Sequence, residues 1–436
     1  MREALAALLA DESVPMAMPD AALLRDYLGE GCPQGDPICL SFGETWYQVA
    51  PGLAGCLEPV EPHAHGYQLS MYGLPGLRRA ARERMLQDHG LGGDEGFDLA
   101  VTWAGTRSVM FDFGRFLLDE HPEDDRTPVV VVAGPSWDYD GVLAPLGYRL
   151  RYFELRPENG FEPDPREFAR LVGDVEGAED ERLALVVLNP QHNPTAVNWS
   201  EEFVTGAIRA AVGRGAGLLI DDAYFAVHNP GVTPTSALRI LLDELRGMPY
   251  GHWLAVRSLG KQFHCNGWGL GTMIAEPDVL ATLVNRYRLH NSLMYGGTQQ
   301  RAMARWLESP ESEAFLRRQQ VSYGEKRKLV GEFLRGRLGY PADKVHEGEC
   351  SSYMLFAVPE AYAEEGKAAE LFREDCFTRT GVLLAPAWPW PYKGDAAPLP
   401  WMRMFLGPDA DHLNTALNRL EAAGLTFGRG LAAGKG

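Results

Sequence analysis

A lysine stands directly after an apolar stretch and before a glycine-rich turn, in the segment RSLGKQFHCNGWGLG from residue 257 to 271. A lysine amine condenses with aldehydes when neighbouring groups keep it unprotonated, and Arg257 and a cofactor ring are candidates for that effect on Lys261. A surface lysine is the simpler interpretation of Lys261 considered alone. The assignment therefore depends on the polar clusters elsewhere in the chain.

Two further clusters carry side chains that a reactive lysine would need nearby. The segment IDDAY ends an apolar stretch with Asp221 and places Tyr224 three residues later. A buried carboxylate is costly without a cation or hydrogen-bond donors, so Asp221 needs a positive partner such as a protonated ring nitrogen; a helix N-cap is the competing interpretation. In LNPQHNPT, Pro190 and Pro194 predict a rigid turn that holds Asn193 outward, although such turns also occur without a function.

A fourth cluster, AGTRS at residues 104–108, offers a place for a phosphate group. Gly105 and Thr106 open an apolar helix, whose first N–H groups lack partners and whose dipole is positive at that end. An ordinary helix start also accounts for this segment. It gains meaning only together with the other three clusters.

These clusters are positioned by a predicted α/β fold. Between about residues 66 and 325, short apolar stretches alternate with segments of helical period, which is typical of a mostly parallel sheet covered on both faces. The predicted strands are 127–134, 183–190, 217–224, 253–260 and 271–275, and the predicted helices include 73–90 and 108–121. Ligands bind outside the carboxyl ends of such strands. The clusters that follow these strands should therefore meet at one edge of the sheet.

A second, smaller domain is expected after a long polar helix around residues 311–338. Three strand-like stretches follow it, SSYMLFAVP, GVLLAPAW and WMRMFLG, and predict an α+β domain. At 436 residues the chain exceeds the roughly 250–300 residues at which single cores split. We expect residues 1–65 to form the N-terminal part of the small domain, 66–325 the large domain and 326–436 the C-terminal part of the small domain.

Composition restricts the partners and the compartment. A net charge of −18 disfavours nucleic acid and anionic membranes, so a small-molecule substrate is expected. The chain contains no apolar run of membrane-spanning length, and its first residues do not resemble a secretory leader. The six cysteines form no C-x-x-C pair, and His63 and His65 have no third ligand nearby, so no metal site is expected. A cytoplasmic location follows as the expectation.

Taken in chain order, the four clusters resemble those of the aspartate aminotransferase superfamily. These class I/II aminotransferases are fold-type I enzymes that use pyridoxal 5′-phosphate, and the resemblance extends from about residue 38 to 407. It implies a large domain with a mostly parallel seven-stranded sheet and a smaller α+β domain. It also implies a homodimer with shared active sites and an amino-acid substrate.

The resemblance assigns roles around the cofactor ring. Lys261 would form the Schiff base and then move a proton between the amino acid carbon and the cofactor. Asp221 would pair with the pyridine nitrogen, so that the ring absorbs the carbanion's electrons. Asn193 and Tyr224 would hydrogen-bond the 3′-oxygen, and Trp137 in GPSWDY would stack on the ring face.

The resemblance also assigns the groups that hold the phosphate. Within one subunit these are Gly105, Thr106 and Ser258. Tyr67 resembles the tyrosine that reaches the phosphate of the partner subunit, with Tyr72 as a rival because the spacing is one residue off. Thr298 in MYGGTQ is expected to cross the interface in the same way.

The substrate is expected between the two domains. Arg403 in WMRMFLG resembles the arginine that binds the substrate α-carboxylate, a task that suits the planar guanidinium fork. Gly43 in LSFGETWY lies in the segment that closes over the substrate, and Asn193 faces the same space. Aromatic residues from two segments crowd this mouth and suit a bulky substrate, with core packing as the competing explanation: Trp46, Tyr47, Trp388, Trp390 and Tyr392.

The chain departs from the family pattern at the phosphate. The usual G-x-R-x-G motif after the lysine has Gly269 in place of its phosphate-binding arginine. Arg107 and Arg257 are the candidates to replace it, and Arg107 is preferred because it lies in the phosphate loop itself. The change of N-P-T-G to Ala196 is minor by comparison.

Three functions remain open from the sequence. The first is transfer of an amino group between an amino acid and a 2-oxo acid. The second is a specialised elimination, replacement, cyclisation or oxidation of secondary metabolism, in one version acting on S-adenosylmethionine, and it is motivated by Gly269 and the aromatic mouth. A non-catalytic regulator has the least support, because Lys261 and Asp221 are both present.

Overall fold

The structure is a computed structural model that describes residues 2–9, 19–43, 48–93, 96–291, 293, 296–362, 367–388 and 399–428. It confirms the predicted fold class, a large α/β unit with a mostly parallel seven-stranded sheet and a smaller unit of strands and helices. Its strands are β1 Ile38–Cys39, β2 Asp98–Thr102, β3 Thr127–Gly134, β4 Arg149–Glu154, β5 Glu181–Leu188, β6 Gly217–Asp221, β7 Trp253–Ser258, β8 Gly271–Ala275, β9 Val345–His346, β10 Tyr353–Ala357, β11 Val382–Leu383, β12 Ala385–Pro386 and β13 Trp401–Phe405.

The large sheet has the order β2-β8-β7-β6-β5-β3-β4. Strands β7, β6, β5, β3 and β4 are parallel, and β8 runs antiparallel to both of its neighbours. The predicted strands at 127–134 and 271–275 match β3 and β8. The carboxyl ends of β3, β5, β6 and β7 therefore lie along one edge of the sheet, which is where ligands bind in this architecture.

Two strands of the large sheet, β2 and β4, were absent from the sequence prediction. Both are edge strands. Strand β4 has the sequence RLRYFE and only one buried residue, Phe153, because one of its long sides faces solvent. An edge strand needs no continuous apolar run, so its sequence does not differ clearly from that of a loop.

The helices cover both faces of the large sheet and complete the small unit. They are α1 Arg2–Leu9, α2 Pro19–Gly29, α3 Pro51–Gly55, α4 Pro75–His89, α5 Gly105–Asp119, α6 Asp140–Leu143, α7 Pro165–Gly177, α8 Glu201–Val212, α9 Ala237–Glu244, α10 Leu259–Phe263, α11 Pro277–Thr282, α12 Leu289–Asn291, α13 Gly297–Glu308, α14 Pro310–Gly336, α15 Ala368–Thr380 and α16 Ala410–Ala422. A π-helical stretch, Leu283–Arg288, joins α11 to α12. The predicted helices at 73–90 and 108–121 correspond to α4 and α5.

The smaller unit is built around a four-stranded sheet of order β12-β13-β10-β9. The stretch GVLLAPAW divides into β11 and β12, and β11 pairs in parallel with β1 from the N-terminal segment. This pairing brings residues 38–39 to the C-terminal part of the chain. The exact division at 65 and 325 stays a prediction.

Among the described residues, no helix has both the length and the apolar content needed to span a membrane. The apolar core lies on the two faces of the large sheet and continues into the smaller unit. Several buried polar side chains, among them Asn189, Asn193 and Asp221, lie at the carboxyl edge of the sheet, where the sequence predicts the site.

Candidate active site

Asp221 ends β6 and is buried, with 6% of its surface exposed. Its Oδ2 accepts a hydrogen bond from the Tyr139 hydroxyl at 2.8 Å, and its Oδ1 accepts one from the Ala223 N–H at 3.1 Å. Both partners are neutral. Burial raises the pKa of Asp221 to about 6, while the Tyr139 hydrogen bond opposes this shift. The carboxylate is therefore a buried anion that a cation would stabilise.

Lys261 is the third residue of α10, which begins directly after β7. Ser258 caps this helix, because its Oγ accepts a hydrogen bond from the Lys261 N–H at 3.4 Å. The Lys261 Nζ lies 6.0 Å from the centre of the Tyr224 ring. It is also close enough to Asp221 for its charge to oppose the rise in the pKa of that carboxyl. The structure thus brings Lys261, Asp221 and Tyr224 together.

Arg403 in β13 reaches from the smaller sheet to the turn after β5. Its Nη1 donates to Asn193 Oδ1 at 3.1 Å, and its Nη2 donates to the backbone oxygen of Ser41 at 2.8 Å. Its Nε is buried and has no hydrogen-bond partner among the described residues. A buried guanidinium with a free donor can bind a carboxylate.

Asn193 is held by a second asparagine that the sequence analysis did not single out. The Asn193 N–H donates to Asn189 Oδ1 at 2.8 Å, and Asn189 Nδ2 donates to the Asp221 carbonyl at 2.7 Å. Asn189 thereby connects the ends of β5 and β6. It stands first in the turn NPQHNPT, and this position directly after a strand was the signal that could have revealed it.

Trp137 follows β3 and packs against Arg107, which was predicted to lie at the cofactor, and against Tyr139, which was not. The Arg107 guanidinium lies 4.6 Å from the centre of the Trp137 ring, and its Nη2 is 2.8 Å from Asp138 Oδ2. The ring of Tyr139 lies 5.2 Å from that of Trp137. The sequence analysis missed Tyr139, which joins Trp137 to Asp221 through the hydroxyl described above.

The expected phosphate site lies at the start of α5. Gly105 and Thr106 are its first residues, and no side chain caps the helix from Ala104. Gly269 adopts a left-handed conformation with φ of 65°, and its carbonyl accepts a hydrogen bond from the Gly105 N–H at 2.8 Å. A Cβ at position 269 would lie 2.8 Å from the Trp103 carbonyl oxygen. The local backbone therefore requires glycine where the family pattern has arginine.

The structure places Arg257 in a different cluster from the one expected. Its guanidinium lies 2.5 Å from Asp88 Oδ2, 2.7 Å from His89 Nε2 and 3.9 Å from Asp222 Oδ2. Side chains alternate between the two faces of a strand, so Arg257 and Ser258 point to opposite sides of β7. We therefore do not retain Arg257 as a neighbour of the Lys261 amine or of the phosphate.

Gly43 lies at the centre of the described site. A Cβ added to Gly43 would lie 2.6 Å from the Tyr353 hydroxyl oxygen and 3.4 Å from the Lys261 Nζ. The Gly43 carbonyl accepts a hydrogen bond from Asn266 Nδ2 at 2.6 Å. The absence of a side chain at Gly43 keeps this space open, and Tyr353 is the third residue that the sequence analysis missed.

The expected interface residues lie apart from this centre. Tyr67 is 67% exposed. Tyr72 is partly buried, and its hydroxyl accepts a hydrogen bond from Asn285 Nδ2 within the same chain at 3.2 Å. Thr298 is in the first turn of α13 and is partly exposed. Tyr67 is thus the better placed of the two tyrosines to reach a partner subunit.

Trp388 packs at the ends of β3 and β4. Its ring centre is 4.9 Å from that of Tyr152, and it lies 2.9 Å from the position that a Cβ of Gly134 would take. Trp46, Tyr47, Trp390 and Tyr392 lie outside the described residues. Within the described part of the chain, no group of three His, Cys, Asp or Glu side chains has the arrangement of a metal site.

Comparison with known proteins decides the family. The sequence profile of "Aminotransferase class I and II" matches residues 117–420. The chain belongs to this family of aminotransferases. Its matched region includes the segments that carry Trp137, Asn193, Asp221, Lys261 and Arg403.

Two curated aminotransferases illustrate the similarity. The aspartate/prephenate aminotransferase of Thermus thermophilus is 24% identical over 348 residues, which cover 80% of each chain. The methionine aminotransferase of Escherichia coli is 28% identical over 214 residues, covering 49% of this chain and 50% of its own. The family and these similarities show that the chain is a pyridoxal-phosphate-dependent transferase of the aminotransferase type. They do not favour the alternative of elimination, replacement, cyclisation or oxidation.

Solved structures share the fold. The aspartate aminotransferase of Thermus thermophilus with maleate matches with a TM-score of 0.75 at 22% identity, covering 94% of this chain and 97% of its own. A substrate-bound protein of Bacillus subtilis, BacF, matches with a TM-score of 0.77 at 19% identity, covering 96% and 98%. Class I/II aminotransferases use pyridoxal 5′-phosphate.

The residues of this aminotransferase fit that cofactor. The buried Asp221 carboxylate has neutral hydrogen-bond partners and suits a protonated ring nitrogen. The uncapped start of α5 suits a phosphate, and the ring of Trp137 lies 5.2 Å from that of Tyr139, whose hydroxyl donates to Asp221. These residues fit a ring, a phosphate and an aldehyde that meets Lys261.

Proposed function

We propose that this protein transfers the amino group of an α-amino acid to a 2-oxo acid, with pyridoxal 5′-phosphate bound through Lys261. When bound, the cofactor supplies an aldehyde that links to amino groups and a ring that accepts the electron pair left on the amino acid carbon. The observation that carries the proposal is the burial of Asp221 beside neutral partners, with Lys261 facing the same space.

Asp221 would hold the proton on the ring nitrogen. Its carboxylate is fixed at both oxygens by Tyr139 and Ala223, so it cannot turn away from a cation placed before it. A protonated nitrogen beside it would in turn favour the charged carboxylate, against the effect of burial on the pKa of Asp221. Asp221 and the ring would therefore stabilise each other's charges.

Lys261 would act as the acid and base at the amino acid carbon. Its position in the first turn of α10 is fixed by the Ser258 cap, while its four-carbon side chain remains able to move its Nζ. General acid–base transfer of this kind contributes about 10²–10⁴-fold to a rate. Tyr224 would donate its hydroxyl to the 3′-oxygen of the ring, and Asn193 would hold the same oxygen.

Arg403 would bind the α-carboxylate of the substrate. Its Nε is free, and its Nη1 contact with Asn193 is one that a substrate carboxylate could replace. Gly43 would leave room above Lys261 for the amino acid carbon. We propose Trp388, and Trp46 in the undescribed segment, as walls for the substrate side chain.

The first turn of α5 would bind the cofactor phosphate through the N–H group of Thr106 and the Ser258 hydroxyl from the end of β7, beside Gly105, whose own N–H donates to the Gly269 carbonyl. Arg107 is the nearest cation in that turn, although its guanidinium is paired with Asp138. With glycine at position 269, the phosphate would be held mainly by neutral donors.

A homodimer would complete the site. Apolar side chains of two segments near α13 are exposed in the single chain: Val60, Tyr67, Leu69, Leu289 and Leu293. Exposed apolar surface of this kind favours an interface with another copy. Tyr67 and Thr298 would then reach the partner's phosphate. All six cysteines are unpaired, which supports a reducing, cytoplasmic location.

The test of the reaction is a panel of amino acids and 2-oxo acids, with the absorption of the cofactor and the products followed together. Transamination predicts stoichiometric pyridoxamine phosphate and one oxo acid for each amino acid consumed. Products formed while the cofactor stays in its aldehyde form would contradict transamination.

The cofactor linkage has its own test. Reduction with borohydride followed by peptide mapping should place the cofactor on residue 261 of the wild-type protein. The Lys261→Ala variant should give no labelled peptide there, with Lys326→Ala as a matched control that keeps the label. A label that survives in Lys261→Ala would overturn the assignment.

The dimer is tested by sedimentation velocity and by mixing two inactive variants, Lys261→Ala and Tyr67→Ala. Shared sites predict that the mixture regains activity, because one site of each mixed dimer then has both native residues. A monomer of full activity would exclude the shared-site dimer.

A further inference from the structure

Tyr353 belongs to β10 of the small sheet, yet its hydroxyl lies among the residues proposed for chemistry. The side chain is buried, with 2% of its surface exposed. Neither the proposed transamination steps nor the expected cofactor contacts use it. Burying a hydroxyl is costly unless it is hydrogen-bonded, and the Tyr353 hydroxyl has partners in Tyr224 and Gly43. What needs an explanation is its position beside the Lys261 amine.

Three observations locate the Tyr353 side chain in the site. The Tyr224 hydroxyl donates a hydrogen bond to it at 3.3 Å. The position that a Cβ of Gly43 would take lies 2.6 Å from the Tyr353 oxygen and 3.4 Å from the Lys261 Nζ, so both atoms border the same small space. The Arg403 guanidinium lies 4.5 Å from the centre of the Tyr353 ring.

The groups that face Tyr353 come from every neighbouring element. Lys261 and Arg403 are cations, from α10 and β13, whereas Tyr224 and Tyr323, from the turn after β6 and from α14, are neutral phenols. Burial raises the pKa of Tyr353, but Arg403, Lys261 and hydrogen bonds from Tyr224 and the Gly43 N–H outweigh it and lower that pKa. Burial raises the pKa of Tyr224, which is therefore the donor of the pair before the cofactor binds.

We propose that Tyr353 is a further acid–base residue of the site, one that accepts the proton which the Lys261 ammonium group must lose before its amine can react. The inference rests on the proposed function of Lys261. In this step an N–H bond of the ammonium group breaks and an O–H bond forms on the phenolate of Tyr353. The charged pair becomes a neutral amine and a neutral phenol, and no electrons are exchanged with another reagent. The reverse step returns the proton when Lys261 is released.

The first test follows how fast cofactor-free protein takes up pyridoxal 5′-phosphate as a function of pH, using absorption. Tyr353→Phe should lower the uptake rate by about tenfold at pH values where the wild-type phenol is ionised, because the Lys261 ammonium group then has no neighbouring base to take its proton. The matched control is Tyr148→Phe, because Tyr148 is a buried tyrosine whose hydroxyl donates to the Gly114 carbonyl at 2.6 Å, away from the site. Equal profiles for wild type and Tyr353→Phe would overturn the inference.

The second test observes the phenol directly in the holoenzyme. Protein labelled with ¹³C at the ring Cζ of tyrosine should show one signal that titrates below the ordinary tyrosine range. This signal should vanish in Tyr353→Phe, persist in Tyr148→Phe and move to higher pH in Arg403→Gln. A titration that is the same in all four proteins would contradict the role of Tyr353.

The two proposals can fail separately. If the wild-type protein takes up no cofactor, the proposed function itself is wrong. If the wild type takes up the cofactor on residue 261 and Tyr353→Phe does so at the same rate at every pH, only the role of Tyr353 is wrong.

Discussion

Asp221 and Asp222 are adjacent in the chain and both buried, but they face different surroundings. Asp221 accepts hydrogen bonds from two neutral groups, Tyr139 and Ala223. Asp222 faces two basic side chains, with His89 Nε2 at 3.4 Å and Arg257 Nη2 at 3.9 Å from its Oδ2. Consecutive residues at the end of a strand point to opposite faces of the sheet, which accounts for the difference.

The comparison separates a carboxylate held by two neutral hydrogen-bond donors from one that faces a histidine and an arginine but accepts no hydrogen bond within the described part of the chain. Burial raises the pKa of both groups, to about 6 for Asp221 and about 7 for Asp222. The charge of Arg257 opposes the rise in the pKa of Asp222, and Arg257 also pairs with Asp88. The cation beside Asp222 thus comes from the chain itself. A cation for Asp221 must instead come mainly from outside the chain.

The largest expected effect is on catalysis through Asp221. Asp221→Asn should lower the rate of amino transfer by about 10²–10³-fold, since it removes a charge aimed at the reacting ring. The folded state should persist, because the asparagine oxygen can accept from the Ala223 N–H while its NH2 group donates to the Tyr139 hydroxyl oxygen. Steady-state kinetics and thermal unfolding measure the two effects. The control is Asp222→Asn, and an equal loss of rate in both variants would show that Asp221 has no special role in catalysis.

The opposite result is expected on the other face of β6. Arg257→Met should destabilise the protein by about 3–5 kcal/mol, because Asp222 then remains buried without its cation, whereas Asp88 keeps its pair with Arg84. The remaining folded protein should still bind the cofactor. Urea unfolding measures the stability, and Arg209→Met is the control, since the pair of Arg209 with Glu244 is exposed. Loss of cofactor binding without loss of stability would contradict a purely structural cluster.

The pH dependence of stability should distinguish the two carboxyl groups in the same way. A folded-state pKa raised to about 7 means that Asp222 binds its proton more tightly in the native state, so its contribution to stability is present below about pH 4 and is lost as pH rises through 7. Asp222→Asn should flatten this part of the profile. For Asp221 the same dependence, ending near pH 6, should be present without the cofactor and weaken when it binds.

Unfolding curves from pH 4 to 8, with and without pyridoxal 5′-phosphate, measure both effects. Subtracting the variant profile from that of wild type removes the contribution of the buried histidines, which have the opposite sign. A cofactor-dependent change at Asp222 instead of Asp221 would show that the two roles had been exchanged.

The sequence predicted the parts of this site that follow directly after strands. Asp221, Asn193, Trp137 and Lys261 each stand at a strand end, and parallel strands bring such ends to one edge. The sequence-based position of Arg257 was wrong, because Arg257 and Ser258 are consecutive residues of β7 and their side chains point to opposite faces of the sheet. Tyr139 and Tyr353 were missed for a different reason. Their hydroxyls meet partners 82 and 129 residues away in the chain, and only the packed fold shows these distances.

The smallest expected effect concerns Arg107, in the first turn of α5. Arg107 is half-exposed, and its pair with Asp138 competes with any contact to a phosphate. Exposed pairs contribute about 0.2–1 kcal/mol, so Arg107→Ala should weaken cofactor affinity by only about twofold to fivefold. Equilibrium titration with pyridoxal 5′-phosphate at two salt concentrations measures it. Asp138→Asn is the matched variant and should strengthen binding if it frees Arg107 for the phosphate. An unchanged affinity in both variants would leave the backbone N–H groups of α5 as the main phosphate ligands. Neither the exposed Arg107 nor the buried Arg257 would then take the place of the arginine that the family has at position 269.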